Sequence, residues 1–379
     1  MKIAVVNLTR GGISGGYKKY LRNIIPRMDS HPEVEAVLIA SPVDVDASSW
    51  FNGLTKVHFA SCLPFHPFRL KQDLELMNYL EQFCPDVLFI PMERYVGFTN
   101  IPVVNMLQNM ESFVQIHDNP FNEKVRNMIQ RVIARRALMK AQRTIAISGF
   151  VKDHLVNNLN IDSKKVSVIY YGIDTLQNGN FRRPDIIPEG WDKRFLFTAG
   201  SIRAARGLAD VLVALKDIIS KDKDISGLVI AGEVSRNMIG YQRKLRNWIK
   251  KNRLQLNVCW AGILSNDEME WCYRNCKVFV MTSQVESFGM IALEAMANGC
   301  ICISANNPCL PEIFGDAAVY YKPGDGKDLA ISIHKLLGLD EQQRKDMAEE
   351  AQKRASMFSW DVTVEKTLNE LKKAIEDTE

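Results

Sequence analysis

Two glutamates, Glu286 and Glu294, punctuate the segment Glu286-Ser287-Phe288-Gly289-Met290-Ile291-Ala292-Leu293-Glu294-Ala295-Met296-Ala297-Asn298-Gly299. From Gly289 to Ala297 every residue is apolar or small except Glu294. A helix that is apolar all round is buried, so a carboxylate on it must find hydrogen-bond donors or be neutralised. Two adjacent hydroxyls of a ligand would satisfy both of its oxygens. Glu286 lies just before this helix, where the amides of Ser287, Phe288, Gly289 and Met290 lack intrahelical partners and can point at a polar ligand. The competing reading is structural: one glutamate pairs with a buried arginine and the other acts as a cap.

A second segment, Gly200-Ser201-Ile202-Arg203-Ala204-Ala205-Arg206-Gly207, reads as a strand-to-helix turn. Two guanidiniums at i and i+3 beside glycines suit a diphosphate, because arginine keeps its charge and offers forked donors. Two solvated surface arginines would fit the same pattern. A third segment, Thr9-Arg10-Gly11-Gly12-Ile13-Ser14-Gly15-Gly16, places glycines between a strand and a helix, where backbone amides can approach an anion. It is not a P-loop, since Tyr17-Lys18-Lys19 follows Gly16 where Lys-Ser or Lys-Thr is required, and the fingerprint G-x-G-x-x-G is absent. A tight turn with no ligand is the alternative.

These residues need a frame. At about 150 residues per domain, 379 residues make two or three domains, most simply two. A composition of 46% hydrophobic and 24% charged residues excludes disorder, collagen and coiled coil. Apolar runs such as 36–40 and 278–281 are far shorter than the roughly 20 residues of a membrane-spanning helix. The opening MKIAVVNLTRGG reads as a first strand rather than a secretory signal. A net charge of +4 is too mild to imply nucleic acid. Cys62, Cys84, Cys259, Cys272, Cys276, Cys300, Cys302 and Cys309 form no C-x-x-C pair, so reduced core thiols inside the cell are expected rather than a zinc site.

Short Val-, Ile- and Phe-rich runs alternate with helical periodicity. Strands are expected over 3–8, 34–40, 57–59, 87–90, 103–107, 144–147 and 166–170, with helices over 17–28, 70–83 and 123–142. Residues 174–192, with two prolines, two glycines and no period, read as a linker. Alternation then restarts with strands over 195–198, 228–231, 258–261, 278–281 and 301–304, and helices over 208–220, 240–251, 267–274 and 360–375. The fold class is α/β: two Rossmann-like, doubly wound parallel-sheet domains facing a central cleft, with ligands beyond the carboxyl ends of the strands.

Taken together these segments resemble the retaining glycosyltransferases of family four, the group-one transferases of GT-B fold. Their signature is E-x7-E with FG after the first glutamate and EAMA around the second, matched here by ESFGMIALEAMANG. The resemblance continues through TIAISGFVKDHL (144–155), VIYYGID (168–174), LPEIFGDAAVYYKPGD (310–325) and FSWDVT (358–363), and so covers nearly the whole chain. It implies an acceptor-binding domain over 1–180, a nucleotide-sugar-binding domain over 181–358, and a helix over 359–379 returning to the first. The expected activity is transfer of a hexose from a UDP- or GDP-sugar to a glycan or lipid-linked acceptor in surface-polysaccharide biosynthesis.

Residue by residue, the resemblance implies that Glu294 holds ribose hydroxyls. Glu286 would contact the donor sugar with the amides of Phe288, Gly289 and Met290 beside Ser287. Arg206 would take the diphosphate, and Gly15 and Gly16 would lie near diphosphate and acceptor. The family's phosphate turn reads G-R-x-x-x-x-K-G, whereas Ser201 stands here for its Arg and Arg206 for its Lys, leaving Arg203 to replace the missing cation. Where many members have a histidine after the fifth strand, this chain has Gln108 and Asn109, the expected substitutes in contacting sugar or acceptor. The resemblance implies no metal and no cofactor. Asp44-Val45-Asp46 and Asp222-Lys223-Asp224 read as chance surface pairs.

Between 121 and 143 there are seven Lys or Arg against the single Glu123, with Met128, Ile129, Val132, Ile133 and Leu138 as an apolar component. Such a helix can lie on anionic lipid, which would place the protein in the cytoplasm with peripheral contact at the inner face of the plasma membrane. An ordinary sheet-packed helix with a solvated basic face fits equally. Other readings of the whole chain are a non-catalytic GT-B subunit binding a glycan or partner, a GT-B epimerase or phosphorylase, and a nicotinamide dehydrogenase.

Overall fold

The structure is a computed structural model that describes residues 1–8, 15–64, 73–96, 100–174, 181–221 and 224–378. The chain divides into two compact units. Met1–Asn109, Met128–Gly172 and Ser359–Glu379 form the first; Met110–Asn127 and Ile173–Phe358 form the second.

The first unit is built on β1 (Lys2–Val6), β2 (Ala36–Pro42), β3 (Val57–Cys62), β4 (Val87–Ile90), β5 (Val103–Leu107), β6 (Arg143–Ala146) and β7 (Val166–Val168). They form one parallel sheet in the order β3-β2-β1-β4-β5-β6-β7. Parallel neighbours need crossovers, and α1 (Gly15–Ser30), α2 (Leu74–Phe83), α3 (Phe121–Lys140) and α4 (Gly149–Leu159) lie in these connections. Covered on both faces, β4 and β5 are buried throughout, which is why they read as unbroken apolar runs. The exception is Asn105, whose side-chain oxygen accepts from Thr144 Oγ1 at 2.9 Å on the neighbouring β6.

The second unit carries β8 (Phe195–Ala199), β9 (Gly227–Ala231), β10 (Val258–Gly262), β11 (Val278–Met281), β12 (Cys302–Ala305) and β13 (Ala318–Tyr321), parallel in the order β10-β9-β8-β11-β12-β13. Its helices are α5 (Leu208–Lys221), α6 (Ile239–Lys251), α7 (Asn266–Asn275), α8 (Met290–Ala297), α9 (Cys309–Phe314), α10 (Gly326–Leu337) and α11 (Glu341–Ala355). The last helix, α12 (Trp360–Glu376), lies in the first unit.

All twelve expected strands are present, with ends shifted by a few residues. The sequence reading missed β13, a four-residue edge strand, and the helices α4, α9, α10 and α11. The helix expected from residue 70 begins at Leu74, because Asp73 caps it by accepting from Leu76 N at 3.2 Å; residues 65–72 lie outside the described ones. Beside its solvent face, α12 buries Trp360, Val364, Leu368, Leu371 and Ala374 against α1, β4, β5 and β6. Trp360 stacks on Tyr171 with ring centroids 5.9 Å apart. The approach is so close that a Cβ on Gly172 would lie 2.1 Å from Trp360 N.

Each sheet reverses its winding direction once, between β1 and β4 and between β8 and β11. Helices diverge at such a reversal and leave a crevice beyond the carboxyl ends of the strands. In the second unit the chain leaves β8 into 200–207 and β11 into 282–289, so both chemistry-bearing segments of the sequence arrive at this one place.

Candidate active site

The turn after β8 is held by backbone contacts before any side chain acts. Gly200 donates to Ala231 O at 3.0 Å, and Ile202 N to Glu233 O at 2.8 Å. Gly207 closes the turn with φ +59°, and a Cβ there would lie 2.2 Å from Thr282 O, so both conformation and space demand glycine. The loop after β11 is laced to the same turn: Gln284 N donates to Ala205 O at 2.7 Å and Thr282 Oγ1 to Arg206 O at 2.6 Å.

This scaffold brings cations and carboxylates together. Arg206 Nη1 donates to the Glu286 carboxylate and to Ser283 Oγ at 3.2 Å, while Ser283 Oγ donates to Glu286 Oε1 at 2.9 Å. Arg203 Nη1 sits 3.0 Å from Glu111 Oε1. The two arginine side chains keep 25% and 23% of their surface exposed, so an incoming anion can reach them. Glu111 stands on the short turn 110–112 after β5, and burial pushes its carboxyl up, against the opposing pull of Arg203 and then Arg206. The neighbouring amide, Met110 N, donates to Ser287 Oγ at 2.9 Å.

Beyond Ser287 the chain turns into α8. Phe288 is buried edge-on against Phe358 at 5.9 Å, and Gly289, at φ +97°, precedes the first helical residue Met290. Glu294 lies in the second turn of α8. Its Oε2 accepts from Tyr273 Oη of α7 at 2.9 Å. Burial first, and then the neighbouring Glu294, hold the Tyr273 phenol well above its ordinary range, so it stays a donor.

The structure therefore gathers Arg203, Arg206, Glu286, Ser287, Phe288, Gly289, Met290 and Glu294 in the second unit. For Glu286 the structure bears on the structural one of the two sequence readings. The glutamate does pair with an arginine, and that arginine is Arg206, the one expected on a diphosphate. Gly15, Gly16, Gln108 and Asn109 belong to the first unit. Gly15 and Gly16 open α1, and a Cβ on Gly16 would meet nothing within 4 Å. The preceding loop, Thr9–Ser14, lies outside the described residues. Gln108 Nε2 donates to Pro91 O at 2.8 Å, and Asn109 is exposed. Sequence reasoning missed Glu111, Ser283 and Tyr273 as site residues. No spacing signal marks them, since they come from three separate connections.

Among the described residues no cluster of three or more His, Cys, Asp or Glu could hold a metal ion. Asp46 is engaged by Ser48 Oγ at 2.5 Å and Ser49 N at 3.3 Å, while Asp222 and Lys223 lie outside the described residues.

Comparison with known proteins identifies the family. The profile for "Glycosyltransferase Family 4" matches residues 14–177, and that for "Glycosyl transferases group 1" matches residues 182–354. The chain belongs to the group 1, family 4 glycosyltransferases. Among curated relatives, it is 25% identical to the serotype-specific mannosyltransferase WbdA of Escherichia coli over 280 residues, 73% of this chain. It is 21% identical to the O-antigen chain mannosyltransferase RfbU of Salmonella typhimurium over 59% of this chain. The matched stretches span only 31% of WbdA and 60% of RfbU. Among solved structures, Anabaena Alr3699/HepE in complex with UDP and glucose superposes with a TM-score of 0.76 at 19% identity, over 98% of this chain and 99% of that one. The fold of this group 1 chain is thus GT-B.

Proposed function

We propose that this chain is a retaining glycosyltransferase that moves a hexose from a UDP- or GDP-sugar to a glycan or lipid-linked acceptor in surface-polysaccharide biosynthesis. One observation carries the reading: Arg203 and Arg206 converge with Glu286 and the amino end of α8 at the reversal of the second sheet. The names of WbdA and RfbU support polysaccharide chemistry and a mannosyl donor, and the UDP and glucose of HepE support the donor class.

In this reading the diphosphate lies against Arg203 and Arg206. Glu294, steadied by Tyr273, accepts hydrogen bonds from the ribose hydroxyls. Glu286 turns to the sugar once the diphosphate takes over its arginine. The bond between the anomeric carbon and the phosphate oxygen breaks, and a bond from the acceptor oxygen forms on the same face. The acceptor's proton passes to the departing phosphate oxygen. Arginine forks and helix amides stabilise the charge that develops on the diphosphate, and the rest of catalysis is positioning. Gln108 and Asn109 are proposed to meet sugar or acceptor, and Gly15 and Gly16 the diphosphate.

The membrane contact also belongs to this proposal. No helix among the described residues is long and apolar enough to cross a membrane. On α3, however, Phe121, Val125, Met128, Ile129, Val132 and Met139 are exposed, while Ala134, Ala137 and Leu138 are buried. At helical spacing these exposed residues form one stripe, flanked by the exposed Lys124, Arg131 and Arg135 on one side and Arg126 and Lys140 on the other, with Arg136 within it. An apolar stripe between basic rows fits the boundary of an anionic bilayer, as expected of a protein at the inner face of the plasma membrane. The test is flotation with phosphatidylglycerol vesicles: binding should fall away with neutral vesicles and in Met128→Glu. Equal flotation in all three cases would remove the membrane from the account.

The transferase reading is tested by a thermal-shift panel of UDP, GDP, ADP, CMP and NAD, each with EDTA and with magnesium. A ligand at about a hundredfold over its Kd adds about 2.7 kcal/mol of stability. One nucleoside diphosphate should raise the melting temperature in EDTA as well as in magnesium, and the sugars carrying that base are then tried for transfer. A shift with NAD alone, or silence throughout, would overturn the reading.

A further inference from the structure

The two arginines of the site are matched by two carboxylates from different connections: Arg206 pairs with Glu286, and Arg203 with Glu111 at 3.0 Å. The second pair was not foreseen, and the backbone that carries Glu111 is fixed on both sides. Met110 N donates to Ser287 Oγ at 2.9 Å, immediately before α8, and the Glu111 carbonyl accepts from Asn127 Nδ2 of α3 at 3.3 Å. The carboxylate is thereby aimed at Arg203 from a segment that is itself pinned to the loop preceding α8. Only 17% of the Glu111 side chain is exposed, so water screens its charge poorly.

We infer that Glu111 is a positioning residue that competes with the donor diphosphate for Arg203, so that donor binding must dissolve the Arg203–Glu111 pair. This rests on the reading of Arg203 and Arg206 as the diphosphate cations. A guanidinium shared between a carboxylate and a diphosphate brings two like charges together in a poorly solvated place. The conflict is relieved when Glu111 takes up a proton and releases the guanidinium. The charged groups facing Glu111 are Arg203 and Arg206 on the turn after β8, Glu286 after β11 and Glu123 on α3. The first two favour its ionised form and the last two oppose it, while burial already raises its proton affinity. A diphosphate beside it raises that affinity further. Donor binding therefore takes up a proton, and affinity rises as pH falls through the range between the free and donor-bound ionisations of Glu111. A nucleotide sugar has no phosphate ionisation of its own near neutrality, so the slope belongs to the protein.

The experiment is titration calorimetry of the full chain with UDP-glucose and GDP-mannose in turn, from pH 6 to 8, on wild type, Glu111→Gln, Arg203→Gln and the double variant. Circular dichroism melts identify the variants that fold. The wild type should bind one of the two sugars more tightly at pH 6 than at pH 8. Glu111→Gln keeps an acceptor for Arg203 without the charge, so it should bind about fivefold tighter at pH 8 and lose the pH slope. In the Arg203→Gln background the Glu111 change should alter affinity little. An unchanged or weaker affinity in Glu111→Gln with the slope intact would overturn the inference, while leaving the donor site standing. If no nucleotide sugar binds the wild type at any pH, the donor-site reading itself fails.

Discussion

Arg206 and Glu286 were each marked in the sequence for a ligand, and in the structure they hold one another directly, with Ser283 bonded to both. Their types and local context were legible because a carboxylate just before an apolar helix and paired arginines beside glycines are unusual choices. Their partners were not legible. Ser283, Glu111 and Tyr273 are ordinary residues in their own segments, and only the sheet order brings them to the site. Glu294→Ala should weaken nucleotide binding by about 10- to 100-fold, since hydrogen bonds to a charged group are worth about 1.5–3 kcal/mol. Titration calorimetry checks this. Glu286→Gln should chiefly lower kcat with a small change in nucleotide affinity, read from initial rates over a range of donor concentrations. Full turnover in both variants would mean that the residues are misassigned. Buried Asp210 supplies a separate test. It accepts from Tyr321 Oη and Gly324 N, both at 2.9 Å, yet burial still raises its pKa. A carboxyl raised in the folded state binds protons more readily there than in the unfolded chain. Its contribution therefore favours folding at low pH and declines as pH rises from the unfolded value through the raised folded one. Asp210→Asn should remove that component from a plot of melting temperature against pH.

At the scale of elements, alternating apolar runs located every strand except β13, whose four residues at a sheet edge follow a Gly-Asp turn and have no periodicity to display. Of the helices that escaped notice, α4 and α9 to α11, α9 is only six residues long and α11 buries only Ala351 and Ala355. The turn from β8 shows how an element places a side chain. Gly207 must be glycine because its φ is positive and Thr282 O occupies the space of a Cβ. Gly207→Ala should therefore cost about 1–3 kcal/mol and misplace Arg206, so the melting temperature and nucleotide affinity fall together. Loss of stability with nucleotide affinity intact would show that the turn does not set the arginine. On α12, Trp360→Ala should cost about 3–5 kcal/mol, because a large aromatic packed on Tyr171 leaves a cavity that its surroundings fill only in part. The variant's urea midpoint checks this.

At the scale of the whole molecule, two parallel sheets with one reversal each are the frame on which the chemistry depends. Composition and alternation were enough to expect that class. The winding orders of seven and six strands could not be read, because pairing between distant strands leaves no local mark. The exposed stripe on α3 was hidden for a related reason: apolar residues lie on both its packed and its outward faces, so their placement appears only when burial is known. The central claim is that the carboxyl edge of the second sheet binds a nucleoside diphosphate through Arg203, Arg206 and Glu294. The most direct measurement is titration calorimetry of UDP and GDP in EDTA against wild type, Arg206→Ala and Glu294→Ala, with melting curves to confirm folding. The account predicts that wild type binds one of the two and that each folded variant loses at least tenfold in affinity. Equal binding in all three proteins, or none in wild type, would contradict it.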